Sequence, residues 1–367
     1  MDWEAEGLLE GCPDEAAREA RRALLDRLEA DGVPVEELRR AVLEDRLVLL
    51  PVERALTSQA GYTARDVARL TGLDLEYLAA SRRALGLAVP DADERVYADE
   101  DLEAARLGAR YREAGFPDDG ALEVARVLGE GMARYAEAAR TLVADTFSQP
   151  GLSEFDLSRR FEVAAQQLMP LAGAWLQAVF ALHLRQVLRA DAITEEQRRT
   201  GRLGDAQEAA VAFADLVGFT ELGELVPSEE LGSVAAELSR LAGAEVEPPV
   251  RLVKLIGDAV MLVAPEPAAL VDAALRLVER ADQQEALPAL RAGVAFGEAV
   301  NRWGDWYGAP VNVASRLTAR ARPGTVLVTE AVREAAGGED FEYSRAGRKR
   351  LKGVSSPVRA FRVRRRE

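Results

Sequence analysis

The chain has 367 residues, of which 48% are hydrophobic and 30% are charged, so we expect a folded protein of two domains. Its formal net charge of −15 argues against general binding to nucleic acid, because a phosphate backbone repels an acidic surface. A single cysteine, Cys12, and a single histidine, His183, exclude intrachain disulfides and metal sites built from cysteine or histidine clusters.

The N-terminus and the apolar stretches predict a cytoplasmic protein. The first residues are acidic and lack the basic segment and apolar core of a secretory leader. Residues 168–184 form the longest apolar stretch, but Pro170 and several polar residues interrupt it, so we do not expect it to span a membrane.

Residues 1–187 predict an all-α domain, because apolar positions recur at spacings of three and four. Within it, residues 62–102 predict short helices, with Thr63 capping the first and Gly72 ending it. This order resembles a MerR-like winged helix. Two interpretations are open: the module binds DNA, or it has kept the shape and lost the ligand. Acidic residues around the second helix favour the module without DNA; they are Asp74, Glu76, Asp91, Asp93 and Glu94.

The segment 155–188 is apolar on more than one helical face. A core, a partner chain or a lipid must cover such a helix. Burial in the core or in a dimer interface is the simpler interpretation, and a pocket for a fatty acid or other lipid is the alternative. The apolar positions are Leu168, Leu171, Trp175, Leu176, Val179, Phe180, Leu182 and Leu184.

Residues 188–207 predict a linker between the two halves. The segment is polar and charged and contains Gly201 and Gly204, so it is compatible with both helix and coil. His183 precedes it, and its intrinsic pKa near neutrality leaves two readings open, a structural histidine and a pH switch.

Residues 208–367 predict a second domain in which strands and helices alternate. The order β-α-β-β-α-β with additions is the ferredoxin-like plan. We expect strands at 209–214, 250–256, 259–264, 289–296, 326–328 and 361–363, and helices at 218–241, 267–281 and 311–321.

Two carboxylates lie at the ends of neighbouring predicted strands, Asp215 and Asp258. Oxygen ligands without histidine or cysteine select Mg²⁺ or Mn²⁺. The backbone after Asp215 turns into a helix at Phe219 and Thr220, where amides can receive the phosphate oxygens of a substrate. The alternative is a structural aspartate at a strand end.

Four motifs together resemble the class III nucleotidyl cyclase catalytic domain over residues 205–364. They are FADLVGFT at 213–220, KLIGD at 254–258, DWYG at 305–308 and VNVASR at 311–316. The resemblance implies an α+β fold: a C-terminal ferredoxin-like βαββαβ cyclase domain after an all-α regulatory domain with a winged-helix-like portion. The helical half resembles that of actinobacterial adenylate cyclases whose N-terminal domain is autoinhibitory and pH-responsive.

The resemblance also implies a role for each motif residue. Asp215 and Asp258 would hold two metal ions per site, one activating the ribose 3′-hydroxyl and the other supporting the triphosphate. Lys254 would contact adenine N1 and Asp305 would accept from the exocyclic amine. Guanylate enzymes carry Glu and a small residue at these two positions, so ATP is the expected substrate.

Three further residues complete the implied site. Asn312 would orient the ribose, and Arg316, four residues along the same helix face, would stabilise charge developing at the α-phosphate. Lys352 in RLKG would bind phosphate, although the segment that follows it departs from the family pattern.

Lys254 and Asp258 are separated by a tight turn, so both cannot readily serve one nucleotide. The resemblance implies a head-to-tail homodimer in which one chain supplies the aspartate pair and the other supplies the remaining residues. The predicted function is an adenylate cyclase forming 3′,5′-cyclic AMP and pyrophosphate under control of the N-terminal domain. The alternatives are a catalytically silent nucleotide-binding sensor and a DNA-binding regulator.

Overall fold

A computed structural model describes residues 1–56, 58, 60–190 and 206–366. Contacts divide the chain into two compact units, Met1–Ala192 and Ile193–Glu367. Most of the predicted linker at 188–207 lies outside the described residues, and the domain bounds 1–187 and 208–367 stay predictions.

The first unit is helical where it is described, as the sequence predicts. Local signals set the helix ends: Thr63 and Asp66 form a capping box at one helix, Asp74 caps the next, and Gly72 ends the first in a left-handed conformation. The helices are α1 (Glu15–Ala30), α2 (Val35–Leu43), α3 (Leu50–Leu56), α4 (Ala64–Thr71), α5 (Leu75–Ala84), α6 (Asp99–Glu113), α7 (Asp118–Phe147) and α8 (Glu154–Ala190).

Two separate apolar clusters hold this unit together. One joins the N-terminal segment to α1, α2 and the start of α3 around Leu24, Leu25 and Leu28, and the other joins α4, α5 and α6. In the winged-helix-like portion, one isolated β-bridge pairs Tyr62 with Tyr97. A single bridge does not form the β-hairpin wing of a winged helix, so the predicted winged-helix-like portion is not confirmed.

Helices α7 and α8 leave large apolar side chains in solvent. Trp175 is 60% exposed and Phe180 is 67% exposed. The chain's own core therefore does not cover these side chains, and burial in a dimer interface or against a lipid stays a prediction. Judged by length and composition alone, Glu154–Arg189 could cross a membrane, and no other helix in the described ranges meets that test. One such helix is weak evidence for a span.

The second unit is built on a mixed sheet with the strand order β2-β3-β1-β4-β6-β8-β7, and β5 pairs with β4 outside this path. The strands are β1 (Gln207–Leu216), β2 (Arg251–Ile256), β3 (Ala259–Ala264), β4 (Leu290–Arg302), β5 (Asp305–Gly308), β6 (Val326–Thr329), β7 (Phe341–Lys349) and β8 (Val358–Arg365). The helices are α9 (Phe219–Leu225), α10 (Ser228–Glu245), α11 (Pro267–Asp282), α12 (Ala309–Thr318) and α13 (Glu330–Ala336).

The predicted strands and helices of this unit are present, with additions. Strand β4 continues past Phe296 to Arg302 and pairs with β5, and neither this extension nor β5 was predicted. Helix α13 and strand β7 were not predicted. Strand β7 is mostly polar and exposed on the sheet edge, so it lacks the apolar run that identifies the other strands.

Strand β1 is buried on both faces, which explains its unbroken apolar run. Ala210, Ala212 and Ala214 face a cluster that includes α10 and α11. Val211 and Phe213 face a smaller cluster that includes α12. Since side chains alternate along a strand, Asp215 emerges on the α12 side of the sheet.

Candidate active site

The structure places the two predicted metal-binding carboxylates side by side. Asp215 lies opposite Ala259 in the pairing of β1 with β3, and Asp258 immediately precedes that residue. The amide of Leu216 donates to the carbonyl of Asp258 at 3.1 Å, which fixes the two strand ends against each other.

Burial and the neighbouring charge make Asp258 hard to ionise. Partial burial is the main cause that raises the pKa of its carboxyl, and the negative charge of Asp215 raises that pKa further. A cation placed between the two carboxylates would relieve their repulsion, so the donor set fits a hard divalent ion.

Arg291 is a site residue that the motifs missed. It lies opposite Asp215 in the pairing of β1 with β4. Its Nη2 and Nε atoms donate to Oδ2 of Asp215 at 2.7 and 3.1 Å. A charged residue inside the apolar run of β4 was the available sequence signal.

The described residues contain no group of three or more histidine, cysteine or acidic side chains that could hold a metal. The pair of Asp215 and Asp258 is thus an incomplete coordination shell. Water or substrate oxygens would supply the other ligands of a bound ion, as is usual for Mg²⁺.

Lys254 and Asp305 form an ion pair although they are 51 residues apart in sequence. Lys254 lies on β2 opposite Met261, whose side chain belongs to the cluster on the α12 side of the sheet. The amide of Trp306 donates to Oδ1 of Asp305 at 2.8 Å and orients the carboxylate. The pair presents a donor and an acceptor at one half-exposed position.

Helix α12 carries Asn312 and Arg316 and packs tightly on the sheet. A Cβ at Gly293 of β4 would lie 2.4 Å from the amide nitrogen of Thr318, so only glycine allows this approach. The buried Thr318 hydroxyl lies 3.0 Å from the carbonyl of Phe213, two residues before Asp215, and 2.9 Å from the carbonyl of Ala314 in its own helix, so the two acceptors share its one proton. Asn312 is exposed, and its Nδ2 donates to the carbonyl of Gly308 at 3.4 Å.

Lys352 is exposed on a short turn before β8. The amide of Val354 donates to the carbonyl of Leu351 at 3.1 Å and closes the turn. Leu351 is buried, and Gly353 of the same turn lies beside Arg316. Lys352 and Arg316 are therefore near each other in one chain.

Phe219 and Thr220 begin α9, which follows Gly218. The Phe219 side chain is partly buried and packs against the main cluster of the sheet, whereas Thr220 is exposed. A substrate contact at Phe219 would therefore use its amide. The predicted substrate role of both residues stays a prediction.

The site residues fall into two groups within one chain. The first contains Asp215, Asp258 and Arg291, and the second contains Lys254 and Asp305 together with the residues on α12 and the Lys352 turn. Among the residues that the structure describes, no hydrogen bond or ion pair joins one group to the other.

Comparison with known proteins covers both units. Residues 1–188 match the family described as adenylate cyclase regulatory domain, and residues 203–364 match the adenylate and guanylate cyclase catalytic domain. The chain is 43% identical over 356 residues to the pH-sensitive adenylate cyclase of Mycobacterium tuberculosis, covering 95% of this chain and 89% of that protein. It is 33% identical over 304 residues to an adenylate cyclase of Streptomyces coelicolor, covering 79% and 76%.

One similar solved structure is the guanylate cyclase domain of RhGC from Catenaria anguillulae in complex with GTP. The match covers 45% of this chain and 100% of that one, with 22% sequence identity and a TM-score of 0.41.

Proposed function

Because the chain belongs to the adenylate and guanylate cyclase family, we propose that it is an adenylate cyclase converting ATP to 3′,5′-cyclic AMP and pyrophosphate. Family membership confirms the enzyme class predicted from the motifs.

The ion pair of Lys254 with Asp305 is the observation that carries the choice of ATP. Adenine offers an acceptor at N1 and a donor at its exocyclic amine, which match an ammonium and a carboxylate. Guanine presents a donor at N1 and an acceptor at O6, so both contacts would be mismatched. A bound base would cover both groups, and a mismatched polar group that has lost its water costs far more than a lost contact, which would give the pair its selectivity.

The catalytic groups of the chain then divide the remaining work. Asn312 would orient the ribose, and Arg316 and Lys352 would place positive charge where the α-phosphate and the departing pyrophosphate gain negative charge. Asp215 and Asp258 would hold Mg²⁺ or Mn²⁺, two ions per site, and such ions supply acidity to the 3′-hydroxyl and charge to the triphosphate.

The separation of the two groups supports a homodimeric enzyme. Each chain carries one aspartate pair and one set of base, ribose and phosphate contacts, and the described residues of one chain do not join them. A head-to-tail pair of chains would complete two equivalent sites. Assembly of the site then depends on how the two catalytic units meet.

Because assembly of the site depends on how the two catalytic units meet, the first unit could control activity by changing that arrangement. One relative is named for pH sensitivity, and we extend pH-dependent regulation by the N-terminal unit to this chain. A pH switch at His183, which is exposed on α8 near the end of this unit, stays a prediction. A fatty acid or other lipid on the exposed apolar faces, and a cytoplasmic location, stay predictions.

Activity measured against pH with ATP and with GTP tests the proposal, for the full chain and for residues 206–367. We expect cyclic AMP from ATP and turnover of GTP that is lower by roughly 100-fold. The full chain should have a steeper pH profile than the truncated one.

Asp258→Ala, checked for folding by circular dichroism, is the inactive control. Binding of ATP without product would favour the silent sensor, and equal use of GTP would overturn the base assignment. Identical pH profiles for both chains would remove the regulatory role.

A further inference from the structure

The Arg316 guanidinium rests against the backbone at Gly353. A Cβ added to Gly353 would lie 2.8 Å from Nη1 of Arg316, 3.5 Å from Nη2 and 3.6 Å from Cζ. Cβ atoms do not approach other heavy atoms as closely as the first of these distances. Any side chain at position 353 would therefore move the guanidinium away from the turn.

The charge of Arg316 has no acidic counterpart among the described residues of this unit. In the part of the chain that the structure describes, no carboxylate pairs with it. Other arginines of the unit are held by acidic partners: Arg240 by Glu237, Arg291 by Asp215 and Arg359 by Glu330. A carboxylate partner would fix Arg316 but would also compete with a phosphate for its charge.

The two elements on either side of the guanidinium are firmly anchored. Leu317 and Thr318, the next residues of α12, are buried. Leu351 is buried at the start of the turn. Helix α12 and the turn at Gly353 are thus both fixed. If a Cβ were added at Gly353, the Arg316 side chain is the part that would shift.

We propose that Gly353 is a positioning residue for Arg316, an inference that rests on the proposed cyclase function. The missing Cβ lets the guanidinium lie on the turn that carries Lys352, with its charge still available for phosphate. A cation displaced by about 1 Å from developing charge can cost on the order of 100-fold in rate. The effect should therefore fall on the chemical step.

Two substitutions separate this contact from backbone strain. Gly353 has a φ of +71°, which disfavours any L-residue. Asparagine tolerates that region better than alanine but is larger. Strain alone predicts a milder defect for Gly353→Asn than for Gly353→Ala, whereas the contact predicts that Gly353→Asn is at least as severe.

Gly324→Ala is the matched control, because Gly324 has a φ of +69° and a Cβ there would meet nothing within 4 Å. Steady-state kinetics with ATP should show kcat lower by about 10-fold or more in both Gly353 variants, with KM changed by less than about 3-fold. Gly324→Ala should lose thermal stability to a similar degree and keep the wild-type kcat.

Three outcomes would overturn the inference: kinetics of Gly353→Ala that match those of Gly324→Ala, a milder effect for Gly353→Asn, or loss of folding in both Gly353 variants. The last would assign Gly353 a structural role. A wild-type chain that forms no cyclic AMP would instead defeat the proposed function itself.

Discussion

Charge compensation around the aspartate pair differs between its two members. Arg291 donates twice to Oδ2 of Asp215, so that carboxylate carries its own counter-charge. Asp258 has no such partner among the side chains described, and burial together with Asp215 raises its pKa. Without a bound cation, Asp258 therefore ionises at a cost to the folded state.

Removing the charge at Asp258 should stabilise the metal-free protein. A carboxyl whose pKa is raised on folding destabilises the folded state above that pKa, and the penalty disappears as the pH falls to the ordinary aspartate range. In chelator at pH 7, Asp258→Asn should therefore raise Tm above wild type. The two melting temperatures should converge as the solution is acidified, and the variant should form no cyclic AMP.

Asp340→Asn, at an exposed turn of the same unit, is the control and should leave Tm within about 1 °C of wild type. A lower Tm for Asp258→Asn at pH 7, or a difference that does not narrow in acid, would contradict the prediction.

At the scale of elements, α12 is the helix whose placement matters most for the site. It carries Asn312 and Arg316. It packs closely against Gly293 of β4, and its Thr318 hydroxyl contacts the carbonyl of Phe213 in β1 as well as that of Ala314 in the helix itself. The Phe213 carbonyl that Thr318 contacts lies two residues before Asp215. The two groups of candidate site residues in each chain are therefore positioned by the same contact between α12 and the sheet.

Thr318→Val should loosen that contact. Valine keeps the shape but loses the buried hydroxyl, which should cost about 1–3 kcal/mol and lower Tm of the catalytic unit by roughly 2–10 °C. Thr141→Val is the control, because the Thr141 hydroxyl lies 3.0 Å from the carbonyl four residues back but on an exposed helix face. Equal stability losses in the two variants, measured by calorimetry, would show that burial at Thr318 contributes nothing.

Helices α7 and α8 show where helical periodicity stops being informative. Their sequences predict helices correctly, and the positions of their apolar residues show that something must cover them. Which partner covers them depends on other surfaces, and in the described chain Leu171, Trp175 and Phe180 remain exposed. The α8 start is held instead by ion pairs of Arg21 with Glu154 and Arg27 with Glu162.

At the scale of the whole molecule, the described residues of one chain contain two candidate half-sites that no hydrogen bond or ion pair joins. The aspartate pair and the Lys254–Asp305 pair are each preformed within the chain. If two chains complete one nucleotide site, as we propose, activity is a property of the dimer. Any change that rotates one catalytic unit against its partner would then act on both sites at once.

Complementation between two inactive variants tests this arrangement. In an equal mixture of Asp215→Ala and Arg316→Ala chains, about half of the dimers should be mixed, and each should keep one intact site. Recovered cyclic AMP formation should approach about a quarter of the wild-type rate. A folded, dimeric mixture without activity would argue against sharing.

Asp215→Ala mixed with Asp258→Ala is the matched negative control. Both changes lie in the same half-site, so each site of the mixed dimer keeps one damaged aspartate pair. Activity in this mixture would show that the assignment of residues to half-sites is wrong.

The sequence by itself determined the helical first half, most strands of the second, and the positions of Asp215, Asp258, Lys254 and Asp305. These features follow from local periodicity and from short motifs at the ends of apolar runs, which a single chain segment encodes. Only the tertiary structure decided that Arg291 meets Asp215, that Gly293 admits Thr318 and that Gly353 supports Arg316. Those contacts join residues far apart in sequence, and they exist because strand register and helix packing bring backbones within a few ångströms.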